Sequence, residues 1–139
     1  MNLKAYIMEA MGVFFLCYIG GLSLAMPKEE KTDTNGPNAA IAHMLALAIM
    51  IYIGKPTSGA HFNPAVTLAL FCTKHGQDGM ESICYIISQF IGGFLGGFLI
   101  WAFGRSPSFD YSITYPSFHS DSWDSIIKAC VGEFLATFF

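Results

Sequence analysis

Hydrophobic and polar positions fall in blocks along this chain. Four stretches are almost continuously apolar: Ala5 to Met26, Thr34 to Gly54, Ile83 to Phe103 and Ile126 to Phe139. The first three run 22, 21 and 21 residues, and about 20 apolar residues in a helix cross a hydrocarbon core of about 30 Å. Each is therefore expected to span a membrane. The second is dense in apolar residues only from Ala39 to Ile53, so its ends are the least defined. The fourth has 14 residues, about 21 Å of helix, which falls short of a crossing. It reads as the start of a further helix, cut off at Phe139. Lys4 ahead of an apolar run also resembles a signal peptide, but the run is too long and Glu9 interrupts it.

Between the second and third spans, Ser58-Gly-Ala-His-Phe-Asn-Pro-Ala-Val-Thr-Leu-Ala-Leu-Phe-Cys72 begins polar and turns apolar. Asn63 followed by Pro64 is a strong helix start, because Asn caps well and Pro lacks an N–H that would be an orphan at the first helical position. A helix from Ala65 to about Thr73 is roughly 14 Å long, half the hydrocarbon thickness. This is a candidate re-entrant half-helix, tolerated at membrane depth only where protein or a water-filled cavity satisfies its open backbone groups. Its tip presents about half a positive elementary charge, which disfavours cations and protons but not neutral molecules. The Asn63 amide is expected to donate to a passing oxygen, and the carbonyls of Gly59, Ala60 and His61 to accept from passing hydrogens. These pieces suit a conduit for small uncharged polar molecules.

Composition narrows the class further. Hydrophobic residues make up 53% and charged residues 12%, against about 25% charged in an ordinary soluble domain. That excludes a disordered chain, a nucleic-acid binder with a basic stripe and most soluble enzymes. Only Glu9, Lys128 and Glu133 among the charged residues lie inside apolar runs. Lys4, Lys55 and Lys74 on one side balance Lys28, Lys31 and Arg105 on the other, so positive charge does not decide orientation. Cys17, Cys72, Cys84 and Cys130 form no CxxC and are expected as buried free thiols. An intramembrane metal enzyme built on His43, His61 and Cys72 lacks any ligand pair at helical spacing. No metal, no cofactor and no catalytic group is expected.

The string from Ser58 to Thr67 resembles the first Asn-Pro-Ala loop of the aquaporins, the major intrinsic protein family. Glu9, the run Tyr85-Ile-Ile-Ser-Gln89 and Glu133 look like the first half of the same family, so the likeness covers residues 1–139. It implies an all-α membrane protein with six spanning helices in two inverted repeats, two half-helices meeting at the membrane centre, and tetramers with one pore per subunit. On that template the chain supplies the first repeat: three transmembrane helices, one re-entrant half-helix and the start of a fourth helix. Glu9…Phe14-Phe15 and Glu133…Phe138-Phe139, matched at an offset of 124, read as a second repeat beginning. The second Asn-Pro-Ala motif and the constriction arginine are not in this sequence.

The resemblance also assigns roles. Asn63, Pro64, Ala65, Gly59, Ala60 and His61 fall on the pore loop. Glu9 and Glu133 look like struts that hydrogen-bond loop backbone, with Gln89 in the same buried network. His43, 20 positions before Asn63, matches the second-helix member of the aromatic/arginine constriction. His there is similar to plant vacuolar-type members, several of which pass water and ammonia; without the resemblance a lone His on an apolar helix reads as packing. His61 is open between pH sensing and loop bonding. Gly92, Gly93, Gly96 and Gly97 suit close helix packing. Phe14, Phe15, Phe94, Phe98 and Trp101 read as core or lipid-facing aromatics. The expected function is a passive, multi-pass membrane channel for water and other small neutral solutes such as ammonia or glycerol, with lipid and sister subunits as partners and no nucleic acid. The alternative is a non-conducting half that regulates full-length relatives.

Overall fold

The structure is a computed structural model that describes residues 2–25, 35–103 and 123–138. The expected loop charges from Lys28 to Asp33, Arg105, and Phe139 lie outside them. Five helices are described: α1 Leu3–Ala25, α2 Asn35–Ser58, α3 Pro64–Cys72, α4 Gly79–Phe103 and α5 Trp123–Phe138. Within α1, α2 and α4 the stretches Leu3–Leu24, Pro37–Ser58 and Gly79–Ala102 are long and apolar enough to cross a membrane. At 22, 22 and 24 residues they reach about 33–36 Å at about 1.5 Å per residue. α3 has 9 residues, about 14 Å, and cannot cross.

Three of the boundaries that differ from the apolar pattern have a visible cause. α2 continues past Gly54 through Lys55 and Pro56 to Ser58. Pro56 removes one helical N–H, yet Gly59 N still bonds Lys55 O at 3.1 Å and the buried Ser58 is tied down by tertiary bonds. α4 starts four residues before Ile83, because Asp78 caps it: its Oδ1 accepts from Glu81 N at 2.9 Å and its carbonyl from Ser82 N at 2.9 Å. α1 starts at Leu3 in the same manner, with Ala5 N and Tyr6 N donating to the Asn2 carbonyl. Capping groups are polar, so counting apolar residues misses that first turn.

α1 packs against both α2 and α4, and α3 packs against α4. Small residues set the closeness. A Cβ on Gly92 would run into the backbone of Ala10, and one on Gly96 would come within 2.8 Å of the Phe14 carbonyl. Without side chains there, the α1 and α4 backbones approach each other directly. Gly97 faces open space and Gly93 only side chains, so half of the glycine cluster makes the contact.

Inside and outside are exchanged relative to a soluble domain. The largest fully buried side chains are Gln89, Glu9 and Thr67, all polar. Tyr52, Phe94 and Phe90 are exposed at 85%, 73% and 68%. A small apolar cluster of Ala5, Tyr6 and Tyr85, with Cys84 against it, closes one end of the polar core. Cys72 and Cys130 are exposed, not buried as expected, and Cys17 and Cys84 are half-buried; all four are free. The correction has the same physical origin: on lipid-facing helices an apolar residue need not point inward.

Candidate functional site

The site is a loop of five residues, 59–63, held between α2 and the N-terminus of α3. Asn63 is extended (φ −156°, ψ 126°) and its Oδ1 accepts from Ala65 N at 2.8 Å, while Pro64 takes the first helical position. The Asn63 carbonyl accepts from Thr67 N at 3.1 Å, the first bond of the helix. Asn63 is exposed, and its Nδ2 makes no hydrogen bond among the described residues. The tip therefore offers one free amide donor beside the positive end of a helix dipole.

The approach to Asn63 is strained. Gly59 has φ 85°, which costs glycine little, but Ala60 (φ 57°) and Phe62 (φ 48°) also adopt the left-handed region. Such a residue costs about 1–3 kcal/mol and persists only where its surroundings over-determine it. Here Glu9 does so from α1. Its Oε1 accepts from Ser58 Oγ at 2.6 Å and His61 N at 3.0 Å, and its Oε2 from Phe62 N at 2.6 Å and Gln89 Nε2 at 2.8 Å. Hydrogen bonds to a charged group contribute about 1.5–3 kcal/mol each, so the two backbone bonds alone offset two strained residues. Glu9 is 0% exposed and its four partners are all donors, which suits an acceptor-only carboxylate.

Further contacts fix the loop from its other sides. The Tyr85 hydroxyl donates to the Ser58 carbonyl at 2.9 Å, and Ala60 N donates to Ser58 Oγ at 3.1 Å. The Phe62 ring fills the space left by Gly12 of α1 and Gly54 of α2; a Cβ on either glycine would overlap it. His61 rests on the Tyr85 ring at 5.2 Å between centroids and bonds Thr67 Oγ1 through Nδ1 at 3.1 Å. Gln89 Nε2 reaches that same Thr67 oxygen at 3.0 Å.

Glu9, Gln89 and His61 thus come together with Asn63, Pro64 and Ala65 on one loop and its helix start. His43 lies apart from this network. Its Nδ1 donates to Ala39 O at 3.0 Å, which leaves Nε2 as the acceptor of the neutral ring. One edge of that ring sits where a Cβ of Gly20 would be, and the side chain is otherwise exposed. Glu133 is carried on α5, but its side chain lies outside the described residues. Ser58, Thr67 and Tyr85 lie in the stretches that carry the resemblance, but the sequence assigned them no role of their own. A lone hydroxyl inside an apolar helix (Thr67) and the i,i+4 spacing of Tyr85 and Gln89 were the available signals.

Val13, Cys17, Pro64, Gln89, Phe90 and Phe94 border an open groove of about 410 Å³ between α1, α4 and the half-helix tip. Gln89 is 1% exposed and its Oε1 has no hydrogen-bond partner among the described residues. Among the described residues no three His, Cys, Asp or Glu side chains group as a metal site.

Three apolar spans around a polar core, with a capped half-helix between them, define an integral membrane protein built on a re-entrant segment. The family model for major intrinsic proteins matches residues 1–139, and the chain belongs to that family. It is 34% identical to aquaporin NIP1-1 of Zea mays and 29% identical to nodulin-26 of Glycine max, in each case over 99% of this chain and 46% and 48% of the relative. It is 33% identical to the glycerol uptake facilitator protein of Haemophilus influenzae over 77% of this chain and 40% of that protein. The chain spans about half the length of the curated relatives it matches.

Proposed function

We propose that the complete protein is a passive, bidirectional and cofactor-free channel for water and other small neutral solutes, ammonia or glycerol among them, and that it assembles as a homotetramer. The observation that carries this reading is the half-helix tip. Asn63 uses its oxygen as a cap and keeps its Nδ2 free and exposed, next to loop carbonyls held in left-handed conformations by a buried carboxylate. A free donor and a row of acceptors can replace the hydrogen bonds a neutral solute gives up on leaving water. The helix dipole meanwhile raises the cost of a cation at the same place.

Glu9, Gln89 and, by analogy, Glu133 act as supports and not as proton carriers. Gly59, Ala60, His61, Asn63, Pro64 and Ala65 line the path, and His43 on α2 narrows it. In a duplicated fold the second half-helix packs at the 410 Å³ groove beside Pro64. Residues 1–139 then form one repeat and the opening of the next. The relatives named for water and for glycerol support neutral solutes as the class.

Stopped-flow light scattering on proteoliposomes tests the reading. Swelling faster than protein-free vesicles, slowed by substitution of Asn63, is the expected result. Permeability equal to empty vesicles would overturn it and favour a non-conducting partner of full-length channels. Chemical cross-linking in the membrane should terminate at four subunits.

A further inference from the structure

The hydrogen bonds around Thr67 leave one proton to be placed. Its Oγ1 lies 3.0 Å from Gln89 Nε2, 3.1 Å from His61 Nδ1 and 3.2 Å from the Asn63 carbonyl. Gln89 Nε2 can only donate, and its 2.8 Å contact with Glu9 fixes the amide in that orientation. The carbonyl can only accept. A hydroxyl has a single proton, so it serves Asn63 O or His61 Nδ1, never both.

In the first arrangement the hydroxyl donates to Asn63 O and must accept from His61, so the imidazole proton sits on Nδ1. Three hydrogen bonds are made. In the second the hydroxyl donates to His61 Nδ1, the imidazole proton moves to Nε2, and the bond to Asn63 O is forfeited, leaving two. Thr67 N–H stays on the Asn63 carbonyl in both. The first arrangement has one more bond, which shifts the population about fivefold toward the Nδ1–H form. Thr67 and Gln89 are each 1% exposed, which keeps solvent from supplying substitutes. The ring itself is held by its backbone bond to Glu9 and its packing on Tyr85.

The geometry points to Thr67 as the positioning residue that decides which ring nitrogen of His61 carries the proton. His61 Nε2 makes no hydrogen bond among the described residues and lies beside Gly59, 3.5 Å from where its Cβ would be. With the proton held on Nδ1, Nε2 is a bare acceptor. His61 then joins the carbonyls of Gly59 and Ala60 in accepting from a solute, and Asn63 Nδ2 is the donor that follows. This consequence for solutes rests on the channel reading above; the placement of the proton does not.

Solid-state NMR of the complete protein, labelled with 15N-histidine in lipid bilayers at about pH 8.5, well above the ordinary imidazole range, tests it directly. The His61→Gln variant serves only to assign the His61 signals against His43, His75 and His119. The expected spectrum has the Nδ1–H form of His61 in excess, its ratio to the Nε2–H form being about fivefold that of Thr67→Val. Thr67→Ser preserves that excess. Thr67→Val, which keeps the shape and removes the oxygen, abolishes it. A wild-type His61 protonated mainly on Nε2 overturns the proposal, as does an unchanged tautomer ratio in Thr67→Val. The wild-type spectrum decides alone if the valine variant fails to fold. An Nδ1–H excess in protein that conducts nothing would uphold this assignment and remove the channel reading instead.

Discussion

Glu9→Gln is nearly isosteric, yet it should cost far more than a surface change. The four groups on Glu9 are donors, two on each oxygen. A glutamine keeps one oxygen and turns an N–H₂ toward two of those donors, whichever way it is flipped. The Ser58 hydroxyl and the Gln89 amide can turn an oxygen toward that N–H₂ but a backbone N–H cannot, so at least one bond to a charged group is lost, at about 1.5–3 kcal/mol. The bonds lost include at least one of the two backbone N–H groups, at His61 or Phe62, that hold Ala60 and Phe62 in left-handed conformations. The loop should therefore open locally before the three long helices separate. Hydrogen exchange at the amides of His61 and Phe62 reads this: acceleration at one or both by about tenfold or more is expected, since each 1.4 kcal/mol is tenfold. Exchange within about threefold of wild type at both amides would refute the argument that Glu9 holds the strain.

Five further substitutions test other parts. Gly92→Ala places a methyl against the Ala10 backbone, which cannot move aside, and should lower the melting temperature in detergent sharply; Gly97→Ala, facing open space, should change it little. Tyr85→Phe removes the hydroxyl bond to Ser58 O and should destabilise by about 1 kcal/mol in the same melting assay. Asn63→Asp keeps the oxygen that caps Ala65 N, so stability should hold within about 0.5 kcal/mol while the lost Nδ2 donor and the added negative charge slow water and admit cations, read by swelling and by ion-flux dyes. Gly20→Ala expels the His43 ring from the niche against α1 and should reduce glycerol permeability more than water permeability in the swelling assay.

The spans and the half-helix were legible because their signals are local. Length and apolar density identify a helix that crosses, and the Asn63-Pro64 start identifies one that does not. Helix beginnings at Asn2 and Asp78 and the end at Ser58 were not legible in the same count, because the residues that cap and anchor them are polar. Glu9 announced itself as a carboxylate inside an apolar run. What it bonds depends on bringing residue 9 beside residues 58, 61, 62 and 89, which only packing of α1 on α2 and α4 achieves. The glycine cluster shows the same limit: spacing suggested four equivalent contacts, and the rotation of α4 selects Gly92 and Gly96. The roles of Thr67 and Tyr85 were hidden although both lie in stretches that carry the resemblance, since one hydroxyl barely alters a hydrophobic pattern.

A conducting pore requires the half-helix tip to lie at mid-bilayer beside water. A nitroxide attached at Ala65, exposed next to Asn63, in a background with Cys17, Cys72, Cys84 and Cys130 replaced, reports both depth and water access by electron paramagnetic resonance. The account predicts a depth near the bilayer centre together with strong relaxation by a water-soluble nickel chelate. A label at headgroup depth, or one at the centre reached by oxygen but not by the chelate, would contradict it.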